Sequence, residues 1–170
     1  LYWGTSEWTG QQLTEVHGIA DFRNLYKPQV EQPMYHLLGR KKFEQDVLPV
    51  VEKTGMGVVT FSPLASGFLT GKYDQGIPEG TRMSRMEWLK DWLYNPENLE
   101  RLKKFKGIAE ELGYSRSQLA IAWVAAQRGV SSVILGATKV SQINENLKAL
   151  EINITQEIDK KLREIFPEES

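Results

Sequence analysis

The chain has 170 residues, of which 41% are hydrophobic and 25% are charged, and its formal net charge is −1. This is the composition of a globular protein with one core, and so small a charge provides no field to recruit nucleic acid or an anionic membrane surface. Cysteine is absent, which excludes disulfides and cysteine-ligated metal, and the longest apolar run, 119–126, is far shorter than the roughly twenty residues of a membrane-spanning helix. No signal-like segment opens the sequence, so we expect a cytoplasmic protein.

The first two elements are a strand and a helix. Residues 1–6 are typical of a strand that runs into its C-terminal loop, so the sequence is expected to begin in the middle of a domain. Thr9 and Gln12 form a capping box that predicts a helix to about Arg23. The apolar residues expected to face inward on this helix are Leu13, Val16 and Ala20.

Alternating strand-like and helix-like segments continue to the middle of the chain. Residues 28–32 predict a second strand, and 40–54 predict a helix in which Pro49 is expected to cause a kink. A third strand is predicted at 56–61, followed by a long loop rich in glycine, serine and proline at 62–94.

The second half begins with two capped helices. Asn95 and Pro96 predict a helix start, and Gly113 predicts its end. Ser115 and Gln118 form another capping box, which opens a helix expected to be buried because its residues are apolar nearly all round. The run 133–135 then predicts a buried parallel strand, and two more helices are expected at about 140–150 and 155–165.

This alternation, without any hairpin signal, predicts an α/β architecture with a parallel sheet. Ligands of such sheets bind beyond the carboxyl ends of the strands. The residues that directly follow the predicted strands are therefore the strongest candidates for a site, and they are Ser6, Glu7, Gln32, Phe61, Ser62, Gly136, Ala137 and Thr138.

The chemistry of these strand ends suits a dinucleotide. Ser6, Glu7 and Gln32 are polar groups that suit a carboxamide, and Phe61 offers a ring on which a planar heterocycle could stack. The loop 62–72 supplies small residues, backbone N–H groups and Lys72, which are the parts of a pyrophosphate cradle. Further along the chain, Arg82 could bind a phosphate through its guanidinium.

The last predicted strand is followed by a polar helix face. Gln142, Glu145 and Asn146 are spaced so that they share one face near the helix N-terminus, which suits a phosphate or the sugar and base of a nucleotide. A solvated first turn is the competing interpretation, and this segment alone favours it. The coherent set of strand ends reverses that preference.

Five ordered blocks make a family resemblance specific. They are YWGTS at 2–6, EQ at 31–32, FSPLASG at 61–67, GKYD at 71–74, and GAT at 136–138 with the polar residues of 142–146. Together they resemble the C-terminal half of an aldo-keto reductase, in the branch that contains potassium-channel β subunits and their plant and microbial relatives. The similarity extends over essentially the whole chain.

The resemblance implies a (β/α)8 TIM barrel that binds NADP(H) at its C-terminal face. Ser6 and Gln32 would hold the nicotinamide carboxamide, Phe61 would stack on the nicotinamide, and Arg82 would meet the adenosine 2′-phosphate. The residues implied to line the pyrophosphate are Ser62, Leu64, Ser66 and Lys72. Those implied to enclose the adenosine end are Gly136, Thr138, Gln142, Glu145 and Asn146.

Two residues depart from the pattern of the channel branch. Phe61 stands where those subunits have Trp, which keeps the ring face. Glu7 stands where those subunits have Arg, whereas plant relatives resemble this chain at that position. This difference argues mildly against a channel-subunit identity.

A complete barrel needs about 250 residues and eight strands, whereas this chain supplies four predicted strands. We therefore expect residues 1–170 to be one segment, the C-terminal half of the barrel, and a half barrel would leave both sheet edges unpaired. The family's catalytic Asp, Tyr, Lys and usual His belong to the missing N-terminal half, so we assign no catalytic residue and no metal ligand here. The segment pairs either with the rest of a longer protein or with a partner half.

Some chemically capable residues receive no catalytic role in this interpretation. Lys72, Tyr73 and Asp74 match a cofactor motif rather than a catalytic set. His36 is expected to lie in a surface loop, and His17 is expected to be structural. Trp88 and Trp92 would either wall the substrate pocket or form a local cluster on the rim.

The implied reaction is hydride transfer from NADPH to the carbonyl carbon of an aldehyde or ketone, with this segment alone inactive. The alternative is a slow or non-catalytic NADP(H)-binding regulatory module of the channel β-subunit type, and a third possibility is that the isolated segment binds nothing. The expected partners are a small carbonyl substrate and the N-terminal half of the barrel, with a homo-oligomer left open. Nucleic acid and direct membrane insertion are not expected.

Overall fold

The computed structural model describes residues 2–168, and these contain one sheet of four parallel strands. The strands are β1 (Gly4–Ser6), β2 (Val30–Gln32), β3 (Gly57–Thr60) and β4 (Ser132–Val133). Their order in the sheet is also their order in the chain. Successive strands therefore pair in parallel through intervening crossovers, which confirms the predicted α/β class with parallel βα units.

Helices occupy the segments between and after the strands. In chain order they are α1 (Gly10–Arg23), a π-helical turn (Lys42–Val47) that continues into α2 (Leu48–Thr54), a 3-10 segment (Ala65–Thr70), α3 (Arg82–Arg85), α4 (Glu87–Leu93), α5 (Pro96–Glu111), α6 (Arg116–Ala125), α7 (Val140–Leu147) with a 3-10 extension (Lys148–Glu151), and α8 (Gln156–Ile165). Within residues 2–168, no helix has both the length and the apolar character needed to cross a bilayer.

The predicted helix starts are confirmed by their capping bonds. At α1, the backbone N–H of Thr9 donates to Gln12 Oε1 at 2.9 Å, and the N–H of Gln12 donates to Thr9 Oγ1 at 3.2 Å. Ser115 and Gln118 exchange the same two bonds at 3.0 and 3.2 Å before α6. These side chains satisfy N–H groups that have no partner inside the helix, which fixes where each helix begins.

The helix predicted at 40–54 differs from a simple kinked helix. Its middle is π-helical, and the N–H of Leu48 bonds to the carbonyl of Phe43, five residues back. The next residue, Pro49, has no N–H to donate, so the backbone cannot keep a continuous α-helical ladder there. The irregularity therefore precedes the proline as a π turn rather than following it.

The predictions for 133–135 and for 62–94 are corrected by the structure. β4 comprises only Ser132–Val133, and Ile134 and Leu135 are 42% and 36% exposed. The prediction of a buried strand is wrong because β4 has a sheet neighbour, β3, on one side only among the described residues. The predicted long loop contains a 3-10 segment and two short helices, since capped turns such as Thr81–Ser84 give it local order.

The described chain divides into two compact units. Unit 1 comprises residues 2–63, 124–136 and 168 and contains the whole sheet. Its buried apolar residues include Leu13, Val47 and Val58. Unit 2 comprises 64–123 and 137–167 and is helical, and it buries Trp123 and a pair of aromatic rings, Phe105 and Phe166, whose centroids lie 5.6 Å apart.

Candidate functional site

The loops that follow β1 and β2 bring together the first two predicted site residues. The hydroxyl of Ser6 donates to the carbonyl of Gln32 at 3.0 Å, and the N–H of Glu7 donates to the same carbonyl at 3.2 Å. Ser6 is exposed and Gln32 is half-buried, so both present polar groups at the carboxyl edge of the sheet. Unit 1 therefore places two groups of the carboxamide-binding type side by side.

Glu7 has a different role from the one expected of a strand-end polar residue. Its carboxylate accepts from the N–H of Met34 at 2.6 Å and from the ammonium of Lys42 at 3.0 Å, and that ammonium also donates to the Glu7 carbonyl at 2.8 Å. The residue has a φ of 61°, a backbone conformation that is unusual for residues other than glycine. These bonds tie the loop after β1 to the loop after β2, so Glu7 fixes the position of its neighbour Ser6.

Phe61 and Ser62 continue the same edge beyond β3. The N–H of Phe61 donates to the carbonyl of Pro33 at 3.1 Å, and its carbonyl accepts from the N–H of Tyr35 at 3.3 Å. Phe61 is half-buried, so part of its surface stays accessible, and Ser62 adopts a φ of 56°. Backbone bonds thus hold the predicted stacking residue at the end of its strand.

A buried carboxylate lies within the sheet below this edge. Glu31 is fully buried on β2, where it accepts from the hydroxyl of Thr5 and, at 3.1 Å, from the N–H of Trp8. A buried carboxylate is costly unless it is hydrogen-bonded, and these partners provide that compensation. Glu31 thereby anchors the start of the loop that leads into α1.

The two histidines are both buried. His36 was expected in a surface loop, but it is completely buried because the turn 36–39 folds back through a bond from the N–H of Gly39 to its carbonyl at 2.9 Å. Burial lowers the pKa of His36 to about 4, so its ring is neutral at pH 7. His17 lies on the inner face of α1, where Val16 is only half-buried, and burial and then Lys27 lower its pKa. Neither ring is placed as a solvent-facing acid or base.

In unit 2 the loop 64–74 has an unusual backbone. Ala65 and Ser66 have φ values of 47° and 56°, and Gly67 has a φ of 87°. The N–H of Gly67 donates to the carbonyl of Leu64 at 2.9 Å, which closes this tight turn. Left-handed conformations outside glycine are costly and concentrate at functional sites, and turns of this type form concavities that bind anions.

Lys72 lies over this turn. A Cβ atom built on Gly67 would lie only 2.4 Å from the Lys72 ammonium nitrogen, so the cation rests against the backbone of Gly67, whose φ of 87° itself favours glycine. The side chain is exposed, and its nitrogen lies 4.9 Å from the centroid of the Tyr73 ring. Leu64 instead packs its side chain against a buried cluster that includes Ile121 and Ala122. Ser66 and Lys72 are therefore the polar members of the predicted cradle, and Leu64 belongs to the core of unit 2.

Most of the residues predicted to enclose the adenosine end lie on α7 or just before it. The N–H of Thr138 donates to Gln142 Oε1 at 2.8 Å, which closes the turn before the helix. The carboxylate of Glu145 accepts from Gln118 Nε2 at 2.7 Å and from Lys148 at 3.2 Å, and Asn146 is buried. Gly136, assigned to unit 1, is exposed.

The remaining candidates lie on α3 and α4. Arg82 is exposed at the first residue of α3, which Thr81 caps. Trp88 and Trp92 lie on α4, with Trp88 exposed and Trp92 half-buried. Within the part of the chain that the structure describes, no group of three or more His, Asp or Glu side chains could hold a metal ion.

The sequence indicated no binding role for three residues of unit 2, which are Asp74, Arg116 and Gln118. Asp74 accepts two bonds from Arg116, and Gln118 bonds to Glu145. Asp74 was visible only as the end of a motif, and Gln118 only as half of a capping box. Their partners lie 42 and 27 residues away along the chain, so no local pattern could identify these pairs.

Comparison with known proteins identifies the family. The model of the aldo/keto reductase family matches residues 1–166. The chain belongs to the aldo/keto reductase family. This confirms the resemblance of its five sequence blocks, and four parallel βα units are consistent with part of the TIM barrel of that family.

Several curated relatives within this family carry the provisional name of voltage-gated potassium channel subunit beta. One from Schizosaccharomyces pombe is 46% identical over 98% of this chain and 50% of its own length. Those from Arabidopsis thaliana and from Oryza sativa subsp. japonica are each 48% identical over 89% of this chain and 47% of their own length. The chain thus spans about half the length of the curated relatives it matches.

Proposed function

We propose that this chain is the NADP(H)-binding, C-terminal half of an aldo-keto reductase that reduces an aldehyde or ketone. The observation that carries the proposal is the position of the Lys72 ammonium against the turn 64–67, in which Ala65, Ser66 and Gly67 have left-handed backbone. A pyrophosphate needs both a positive charge and backbone donors, and this turn supplies both. Family membership supports the wider statement that the protein is an oxidoreductase.

The residues present fit a nicotinamide dinucleotide, taken unit by unit. In unit 1, Ser6 and Gln32 would bind the carboxamide and Phe61 would stack on the nicotinamide ring. In unit 2, Ser66 and Lys72 would bind the pyrophosphate. The other residues proposed to contact the cofactor are Ser62, Leu64 through its backbone, Arg82 at the 2′-phosphate, and Gly136, Thr138, Gln142, Glu145 and Asn146 at the adenosine end.

When bound, NADPH would supply the hydride that reduces the carbonyl carbon of the substrate. This chain would orient the nicotinamide through Ser6 and Gln32 and would exclude water from its face with Phe61. We assign the proton that the carbonyl oxygen takes up to the N-terminal half, which would also complete the sheet at its two edges, β1 and β4. The segment alone would then be inactive, and the whole protein would work in the cytoplasm.

Cofactor titration of the complete protein tests the proposal. The fluorescence of the tryptophans should change on addition of NADPH with saturable binding in the micromolar range or tighter, and NADH should bind more weakly. Absence of any saturable response at millimolar NADPH would refute the proposed function. The isolated 170-residue chain, run in parallel, tests whether this half needs its partner half to bind.

A regulatory, slowly reacting NADP(H)-binding module is the second candidate, and the names of the curated relatives favour it. Steady-state oxidation of NADPH with a panel of aldehydes separates the two candidates. Brisk steady-state turnover would support the enzyme, whereas tight binding with negligible turnover would support the regulatory module.

A further inference from the structure

The first turn of α6, residues Arg116 to Gln118, sends two polar side chains to two different segments of unit 2. Arg116 donates to the carboxylate of Asp74 through two nitrogens, at 2.6 and 3.0 Å. Gln118 donates to the side chain of Glu145 at 2.7 Å and to its carbonyl at 3.2 Å. Asp74 ends the turn that carries Lys72, and Glu145 lies on α7, so one helical turn contacts two of the segments proposed to bind the cofactor.

Arg116 holds the Lys72 turn at both of its ends. At the far end it forms the two bonds to Asp74, and at the near end its guanidinium packs on Gly71. Gly71 has a φ of 90°, and a Cβ atom at this position would lie 1.7 Å from Nη2 of Arg116. Glycine therefore leaves room for the guanidinium against the backbone. The N–H of Asp74 bonds to the carbonyl of Gly71 at 3.1 Å and closes the turn around Lys72. The planar fork of arginine suits this arrangement because it bonds a carboxylate through two parallel donors.

Gln118 uses both ends of its amide. Its Oε1 accepts from the N–H of Ser115 at 3.0 Å as part of the helix cap, and its Nε2 donates to Glu145. The residue is only 6% exposed. The cap therefore fixes the orientation of the amide, and the amide in turn fixes the carboxylate of Glu145.

We propose that the first turn of α6 is a positioning element for the cofactor, through Arg116 on the Lys72 turn and Gln118 on Glu145. This inference rests on the proposed function. Neither residue needs to touch the dinucleotide, since Arg116 acts through the turn that carries Lys72 and Gln118 acts through the side chain of Glu145. Loss of either contact frees one of the cofactor-binding segments, and the expected result is faster release of NADP(H).

Two substitutions separate these contacts from the fold of the helix. Gln118→Glu keeps an oxygen to accept from Ser115, and Glu is a normal capping-box residue, but it removes the donor to Glu145 and adds a like charge. Arg116→Leu removes the fork, and Arg116→Lys keeps the charge without it. Arg101→Leu is the matched control, because Arg101 is another arginine of unit 2 in an ion pair, with Glu97 at 2.6 Å on α5.

Dissociation of NADPH from the complete protein, followed by stopped-flow fluorescence, is the measurement. Loss of a hydrogen bond to a charged group corresponds to about a tenfold change, so Gln118→Glu and Arg116→Leu should each release NADPH about tenfold faster. Arg116→Lys should fall between Arg116→Leu and wild type, and Arg101→Leu should match wild type. Thermal unfolding of each variant identifies any that fails to fold. If Arg116→Leu fails to fold, Gln118→Glu and Arg116→Lys still test the inference.

A fragment of the cofactor distinguishes positioning from general loosening of the fold. Adenosine 2′-monophosphate has no pyrophosphate, so Arg116→Leu should leave its affinity unchanged while Gln118→Glu weakens it. If wild type binds NADPH and both variants release it at the wild-type rate, the inference is wrong and the proposed function stands. If wild type does not bind NADPH at all, the proposed function itself fails.

Discussion

Replacement of Lys72 by methionine tests the proposed pyrophosphate cradle most directly. Methionine retains most of the length and apolar stem of the side chain and removes the charge. The ammonium is exposed and rests over the turn at Gly67, so its removal should leave the fold unchanged. We therefore expect a loss of cofactor affinity without a loss of thermal stability.

The size of the loss follows from Coulomb's law. Two unit charges about 4 Å apart attract by about 1 kcal/mol in bulk water and by about 4 kcal/mol in the environment near a protein surface. Since the ammonium is exposed but lies against the protein backbone, a value of about 2 kcal/mol is expected, which corresponds to roughly a 30-fold rise in Kd for NADPH. Salt should reduce the difference between wild type and variant, because exposed charges are screened.

Titration of NADPH by fluorescence at low and high salt measures both effects. Lys103→Met is the matched control, because Lys103 is an exposed lysine of α5 whose ion pair with Glu100, at 3.2 Å, lies on the solvent-exposed surface. A Kd for Lys72→Met within twofold of that control, in a wild type that binds NADPH, would refute the assignment of Lys72 to the pyrophosphate.

Three further predictions concern other parts of the chain. Arg82→Ala should weaken NADPH by about tenfold or more and NADH little, since a phosphate–guanidinium contact contributes about 1.5–3 kcal/mol; equal losses in parallel titrations would contradict the 2′-phosphate role. Glu7→Gln should weaken the contact with Lys42 and raise the Kd for NADPH several-fold with little change in melting temperature. An unchanged Kd would show that the ion pair between Glu7 and Lys42 does not position Ser6. Because the pKa of His36 falls from 6.5 to about 4 on folding, the unfolded chain binds the extra proton first, and stability should drop as pH falls below 6.5, by about 2 kcal/mol between pH 7 and pH 5. His36→Leu should make the free energy of unfolding, measured in urea, depend less on pH. An equally steep pH dependence in the variant would exclude His36 as its source.

Local signals were sufficient for most of the helices. The capping boxes at Thr9 and Ser115 each consist of two residues three positions apart, and the structure forms all of their bonds. A helix start depends on such short-range contacts, so a sequence reports it directly. The four strands were also predictable, because alternating apolar segments and turn residues define βα units without reference to distant residues.

Burial and long-range pairing could not be predicted in this way. The run at 133–135 has the apolar residues of a buried strand, but its exposure depends on how many sheet neighbours β4 has. His36 follows a strand like a loop residue, and a tight turn buries it. Among the site residues, Ser6 and Gln32 could be found because each ends a strand, whereas Arg116 could not, since its significance arises from Asp74, 42 residues away.

The same structural device recurs in both units. Glu7 in unit 1 and Gly71 in unit 2 have positive φ angles, and each lies in a loop held by a lysine or arginine in an ion pair, Lys42 with Glu7 and Arg116 with Asp74. Ion pairs that are partly open to solvent contribute little to the free energy of folding, typically below about 1 kcal/mol. They can nevertheless hold a strained loop in one conformation, which lowers the entropy that a ligand must remove on binding. Changes at these pairs should therefore affect the affinity for the cofactor well before they affect the melting temperature.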